Sequence, residues 1–265
     1  MFGHVLIIAG SLRYSGAALL AAGGCLRAGA GLVTLGVPKR LAIGFMRKKP
    51  MEAMLLPLAD TAEGTLSIKA FKTIAEFNAD VLLAGPGLSW NGSTHGLVRK
   101  MVREIFKPMV LDASALDAFT SHKNLLKRHA CSCVITPHPG EMSRLTGIPV
   151  STIQNNRKDI AKDFANEYNV TVVLKGNNSV VASQAGRTFI NTTGNPGMAR
   201  GGTGDILGGM IAAFIGQGLE PFEAAKYAVY LHGLAGDIAA GRKTQLGMTA
   251  SDLIDALPKA IRASL

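Results

Sequence analysis

The residue best placed to do chemistry is Asp205, the lone carboxylate in G-N-P-G-M-A-R-G-G-T-G-D-I-L-G-G (194–209), where seven of sixteen residues are glycine. An apolar run follows it (Ile206, Leu207, Met210, Ile211), so a flexible loop feeds straight into a helix. Glycines let the backbone turn with positive φ and present bare N–H groups. A helix start adds unpaired N–H donors and a partial positive charge. Together they form an anion site, and phosphate suits it.

A carboxylate beside bound phosphate is repelled, so as a cap alone Asp205 would work against that site. The conflict disappears if Asp205 takes a proton from a hydroxyl while the N–H groups hold the phosphoryl group being transferred. The helix N-terminus is expected to keep the carboxylate ionised. The plainer alternative is a helix N-cap after a Gly-rich turn, a position that Asp fills well. Both readings stand at this point.

Other candidates collect at the ends of apolar runs. Lys175, in K-G-N-N-S (175–179), closes the buried run 171–174, where a lysine is costly without an anionic partner. A nucleotide phosphate is the favoured partner, a structural Asp the alternative. His138 lies between two prolines in P-H-P-G-E (137–141), which fixes an imidazole in place for a cleft or for a structural bond. Glu141 is expected to open the next helix. Gly10 and Ser11, then Tyr14 to Ala17, put small residues where a ligand or a packed helix can approach. The G-P-G at 85–87 serves that purpose or a turn. Asp112 reads as a cap or as a residue that orients a metal-bound phosphate.

The elements that must position these residues are short continuous apolar runs at 5–8, 81–83, 109–111, 133–135 and 171–174, a pattern of strands covered on both faces. Helical patterns lie between them at 17–28, 68–77, 97–105 and 153–168. The alternation predicts an α/β fold: a mostly parallel sheet with helices on both faces and ligands at the carboxyl ends of its strands. Residues 180–182 and 188–190 read as a small antiparallel hairpin. Helices are expected from about 204 to 216, from Pro221 to about 240, and from about 249 to 263.

Composition narrows the function classes. The 265 residues are 48% hydrophobic and 17% charged, a packed globular balance that argues against disorder. A net charge of +10 favours anionic partners, but the basic residues are scattered apart from Arg47, Lys48 and Lys49. Aromatics amount to 6% and do not interleave with basic residues, so nucleic-acid binding is not expected. Cys25, Cys131 and Cys133 form no disulfide framework. The longest uncharged apolar-rich run, 206–219, is too short for a bilayer and holds four glycines. The expectation is a soluble, cytoplasmic protein. No P-loop, dinucleotide fingerprint, zinc spacing or G-x-S-x-G elbow is present.

Taken in order, the motifs resemble the NAD(P)H-hydrate dehydratase family, whose fold is ribokinase-like. The matching stretches are G-H-V-L-I-I-A-G-S (3–11), Y-S-G-A-A-L-L-A-A (14–22), R-A-G-A-G-L-V-T (27–34), G-P-G-L (85–88) and V-L-D-A (110–113). They continue with T-P-H-P-G-E (136–141), V-L-K-G (173–176), the Gly-rich stretch 194–209 and A-V-Y-L-H-G (228–233). The resemblance implies repair of the S epimer of hydrated NADH or NADPH, dehydrated at the expense of ADP or ATP. The C6 hydroxyl attacks the terminal phosphate, and the ester then eliminates inorganic phosphate. It also implies roles by position: Asp205 as catalytic base, with the N–H groups of Gly202, Thr203 and Gly204 as the anion hole. Lys175, Gly176, Asn177, Asn178, Ser179 and Gly204 would contact the adenine nucleotide. Ala17, Gly87, His138 and Asp205 would contact the hydrated substrate. Mg²⁺ is implied as phosphate counter-ion, its protein ligands unassigned, and homotetramers are usual. Many relatives carry an upstream epimerase domain, whereas 1–265 is expected to be the dehydratase domain alone. Ser114 departs from the family, where an acidic residue is common, and this leaves a metal role for Asp112 in doubt. The alternative within the same fold is a kinase of a vitamin precursor such as hydroxyethylthiazole.

Overall fold

The apolar runs become strands of one sheet in the computed structural model, which describes residues 2–264. Among these residues the strands are β1 (His4–Ile8), β2 (Leu32–Pro38), β3 (Met54–Leu58), β4 (Val81–Ala84), β5 (Met109–Leu111), β6 (Cys133–Ile135), β7 (Thr171–Leu174), β8 (Val180–Ala182) and β9 (Thr188–Ile190). Their order across the sheet is β3-β2-β1-β4-β5-β6-β7-β8-β9. Pairings from β3 through β7 are parallel, and β8 and β9 add the antiparallel hairpin.

The helices are α1 (Ser15–Arg27), α2 (Ala42–Lys48), α3 (Phe71–Glu76), α4 (Gly92–Glu104), α5 (Ser114–Asp117), α6 (Pro139–Thr146), α7 (Val150–Asn155), α8 (Arg157–Tyr168), α9 (Thr203–Gly216), α10 (Pro221–Gly247) and α11 (Ala250–Arg262). Successive strand residues point to opposite faces, so each strand feeds two cores. Val5 and Ile7 pack with α1, α9, α10 and α11, while Leu6 and Ile8 pack on the other side with α4, α6 and α8. The three-layer α/β expectation holds.

Several local expectations need correction. β2 and β3 were not anticipated as strands: Gly36 interrupts one run, and the other is a half-exposed edge strand carrying Pro57, which an edge tolerates. The helical pattern at 153–168 is two helices, α7 and α8, because Asn156 leaves the helical region (φ −129°, ψ 37°). The pattern at 68–77 begins as a short 3₁₀ turn before α3.

The strand order reverses between β1 and β4. Ligands of open α/β sheets bind at such a switch point, outside the carboxyl ends of the strands. Backbone bonds stitch these ends into one row beyond the ladder: Gly10 N donates to Pro86 O (2.8 Å), Asp112 N to Ala84 O (3.0 Å) and Lys175 N to Pro137 O (2.8 Å). Residues distant in sequence thereby face one space.

Candidate active site

α9 starts at Thr203 because Gly202 ends the preceding loop in the left-handed region (φ +96°), which costs a residue with a Cβ. The first intrahelical bond from this end runs from Ile206 N to Gly202 O (3.3 Å). The amides ahead of it have no helical acceptor, so those of Thr203 and Gly204 sit at the positive end of the helix. The Thr203 hydroxyl is turned inward, donating to Met198 O (2.9 Å) and Arg200 O (3.0 Å). Thr203 therefore offers its amide outward and its hydroxyl to the loop.

Asp205 is the third residue of α9. The N-cap is Gly202, so the capping alternative for this carboxylate falls away. The expectation that the helix end keeps Asp205 ionised also needs correction. Burial pushes its pKa up to about 7, and the neighbouring Asp112 and Glu141 add to the rise against the pull of Lys175. Loss of hydration and like charge outweigh the helix end here.

Lys175 leaves the end of β7 and meets carboxylates. Its Nζ donates to Asp112 Oδ1 at 2.6 Å and lies 3.9 Å from Glu141 Oε2. Of its two possible partners, the structural Asp is present. Burial disfavours the ammonium, but Asp112, Glu141 and Asp205 outweigh it and raise its pKa. Asp112 is buried, and its Oδ1 also accepts from Thr136 Oγ1 (2.5 Å), while its Oδ2 has no partner. Asp112 caps no helix: the residue ahead of α5 is Ala113.

The row of strand ends requires a glycine at position 85. Gly85 has φ +136°, and a Cβ there would run into the carbonyl of Asp112. Gly87 brings the β4 end against α1, where a Cβ would lie 3.0 Å from that of Ala17. A Cβ on Gly204 would lie 3.3 Å from Lys175 Nζ. Asp205, Gly204, Lys175 and Asp112 thus share one cluster, and Ala17 and Gly87 meet at the switch point beside it.

His138 is the N-cap of α6. Its Nδ1 accepts from Gly140 N (3.0 Å) and Glu141 N (3.3 Å), while Glu141 Oε2 accepts from His138 N (2.7 Å). Glu141 opens the helix as expected, within a capping box. Burial, then Lys175 and Arg144, lower the His138 pKa, so its imidazole is neutral at pH 7. With Nδ1 accepting, Nε2 carries the proton and lies 3.4 Å from Glu141 Oε1.

Gly176, Asn177 and Asn178 form an exposed turn into β8. Asn178 is left-handed (φ 52°), and Ser179 Oγ accepts from Gly176 N (3.2 Å) and donates to Gly176 O (3.0 Å).

Several supporting residues escaped the sequence reading. Asp237 accepts from Gly194 N and from Asn195 Nδ2, both at 2.9 Å. Arg200 donates to the carbonyls of Gly197, Gln245 and Leu246, each at 2.8 Å. His232 lies buried under the loop, its Nε2 2.8 Å from Thr203 O, and burial lowers its pKa to about 4. Arg200 and His232 lie in stretches that match the family, but neither stretch discloses the bonds they make, and Asp237 lies in no motif.

No cluster of three or more candidate metal ligands exists among the described residues. The donor set does not make a protein-held Mg²⁺ site, and Ser114, the first residue of α5, brings no carboxylate to one.

Two carboxylates, Asp112 and Glu141, on the Lys175 ammonium, with Asp205 in the first turn of α9 beside amides that have no helical acceptor, suit a proton acceptor with a phosphoryl cradle. Comparison with known proteins agrees with that architecture. The family model described as NAD(P)H-hydrate dehydratase matches residues 5–259. The bifunctional NAD(P)H-hydrate repair enzyme of Moorella thermoacetica is 44% identical over 264 residues, 99% of this chain and 50% of that one. The chain thus spans about half the length of the bifunctional curated relatives it matches. The ADP-dependent (S)-NAD(P)H-hydrate dehydratase of Bacillus subtilis is 33% identical over 262 residues, 97% of this chain and 88% of that one. A crystal structure of ADP/ATP-dependent NAD(P)H-hydrate dehydratase from Bacillus subtilis, co-crystallised with ATP/Mg²⁺, superposes with a TM-score of 0.84 at 32% identity, covering 99% of this chain and 90% of that one. The ribokinase-like fold extends to solved ribokinases of much lower identity. On the motifs, the fold and a family match spanning nearly all its residues, the chain belongs to the NAD(P)H-hydrate dehydratase family.

Proposed function

We propose that this protein dehydrates the S epimer of hydrated NADH or NADPH, using ADP or ATP as phosphoryl donor. The observation that carries the reading is the place of Asp205 in the first turn of α9, where the amides of Thr203 and Gly204 have no helical acceptor; burial pushes its pKa up to about 7. A base whose pKa lies near the working pH combines a useful ionised fraction with driving force for proton transfer.

In this reading Asp205 accepts the proton of the C6 hydroxyl as its oxygen bonds to the terminal phosphorus of the donor, whose bridging oxygen leaves with the bond electrons. The amides of Gly202, Thr203 and Gly204 hold the phosphoryl oxygens, since phosphoryl transfer is chiefly positioning and charge stabilisation. The ester then loses phosphate from C6 and a proton from C5, restoring the ring double bond. Lys175 and the 176–179 turn take the donor nucleotide, with Lys175 acting from its ion pair with Asp112. Ala17, Gly87 and His138 take the hydrated ring. Mg²⁺ would accompany the donor and offset the charge of its phosphates, and no residue of this chain is assigned to hold it.

The remaining proposals rest on the family resemblance alone: a homotetramer that works in the cytoplasm. No helix among the described residues is long and apolar enough to cross a membrane. Light scattering that returned the mass of a single chain would overturn the tetramer.

The test is product analysis of purified protein with each hydrate and each donor. Recovery of the absorbance of reduced nicotinamide, with one phosphate released per turnover, is expected. A stable phosphate ester with no recovered absorbance would assign the kinase alternative instead.

A further inference from the structure

A second concave feature flanks the first turns of α1. A cavity of about 220 Å³ lies between α1 and α2, walled by Leu19, Leu41 and Phe45 and edged by Ser11, Ser15 and Lys48. Pockets for drug-sized ligands run to about 300–1,000 Å³, so this one suits a fragment such as one base with its sugar.

Ser11 lines the cavity, and its Oγ, closed off from solvent, has no hydrogen-bond partner. Lys48 is the only charged lining residue, and no carboxylate is paired with it among the described residues. Its neighbour Lys49 is already engaged, with Nζ donating to Pro50 O (3.3 Å) and Met51 O (3.4 Å). The start of α1 has no side-chain cap, so its N-terminal amides add donors at the same edge.

The cavity adjoins the proposed reaction site. α1 carries Ser15 and Leu19 into it, while Ala17 and Leu20 of the same helix face Gly87 and Gly202. Residues 15 to 20 span only about 9 Å of helix axis at 1.5 Å per residue. A hydrated dinucleotide whose ring lies against Ala17 and Gly87 has this wall within reach of its second half. The donor's adenosine has the same chemistry, but it belongs at the β7–β8 turn, on the other side of Asp205.

We propose that the α1–α2 cavity is the subsite for the adenosine monophosphate half of the substrate dinucleotide, with the base against the apolar walls and a phosphate on Lys48. This rests on the function proposed above. It makes Lys48 a binding residue that distinguishes the dinucleotide from shorter substrates.

Two variants test it. A Cβ on Gly44, a lining residue, would meet nothing within 4 Å, so Gly44→Leu adds bulk at the cavity from an open position, and Lys48→Ala removes the charge. The first readout is equilibrium binding of unhydrated NADH, which needs no turnover. Each variant should weaken it by about tenfold, the factor that 1.4 kcal/mol gives, with the melting temperature held. The second readout is KM for NADH hydrate against hydrated nicotinamide mononucleotide. Wild type should favour the dinucleotide, and the variants should not. A larger loss on NADPH hydrate than on NADH hydrate in Lys48→Ala supports the subsite with the 2′-phosphate on Lys48, and equal losses support it with the bridging phosphates there. Unchanged NADH binding, an altered KM for ADP or ATP, or the same loss on the mononucleotide would overturn the subsite. Wild type that is inert on every hydrate but binds NADH in a cavity-dependent way would defeat the proposed reaction and leave the subsite standing.

Discussion

Two regions flank the start of α1, and they are built on opposite principles. On one side Asp112, Glu141, Asp205 and Lys175 share a cluster in which Asp112 and Glu141 raise the Asp205 pKa and the three carboxylates raise that of Lys175. On the other, the cavity at Phe45 is apolar, with one cation at its rim and open space at Gly44. In the cluster, low exposure strengthens every interaction and makes each unmatched charge expensive. At the cavity rim, Gly44 and Lys48 are exposed and make no side-chain bond among the described residues, so changes there stay local. The contrast suits reaction on one side and recognition on the other.

The sharpest way to break that comparison is to remove the cluster's cation. Lys175→Met leaves Asp112 buried with only Thr136 as partner, and loss of one member of a buried pair costs about 3–5 kcal/mol. Denaturant unfolding should show a loss of that size, against less than about 0.5 kcal/mol for Lys48→Ala at the cavity rim. Equal losses would mean that the two regions do not differ.

Next in size is the carboxylate itself. Native Asp205 holds its proton up to about pH 7, whereas its ordinary value is 3.8. The native state therefore binds the extra proton between these values, and stability falls as pH rises through that window. Asp205→Asn should be more stable than wild type by about 2–4 kcal/mol at pH 8, with the gap closing by pH 4. A variant less stable than wild type at pH 8 would contradict the burial account.

His232 gives a smaller effect of opposite sign. Its native pKa is about 4 against an ordinary 6.5, so the unfolded chain takes up the proton first. The stability it confers is complete above pH 6.5 and is lost as pH falls toward 4. His232→Gln should flatten that acid limb by about 1–3 kcal/mol in unfolding measured across the range. The smallest effect lies on the cavity side. Gly44→Ala, in α2 with open space around it, should gain about 0.5–1 kcal/mol. A loss there would show that the space is not open.

The two regions also differ in how much of them the sequence discloses. Asp205 stands out because a lone carboxylate among seven glycines conflicts with an anion site unless it reacts. The strands at 5–8 and 171–174 are legible because doubly covered strands are continuously apolar. β3 is not, since an edge strand carries Pro57 and exposed positions. The pairing of Lys175 with Asp112 joins residues 63 apart, and only the stagger of parallel strand ends brings them together. The balance that raises the Asp205 pKa is hidden for the same reason. The cavity has no motif at all, because it is a space left between α1 and α2 rather than a pattern along either. Ser11 and Lys48 become informative only once burial and missing partners are visible.

The most direct test of the account is turnover of NADH hydrate by Asp205→Asn, with donor binding measured on the same preparation. The account predicts that kcat falls by about 10²–10⁴-fold, the range for loss of a general base, while ADP or ATP still binds. Turnover like that of wild type would remove Asp205 as the base and, with it, the proposed chemistry.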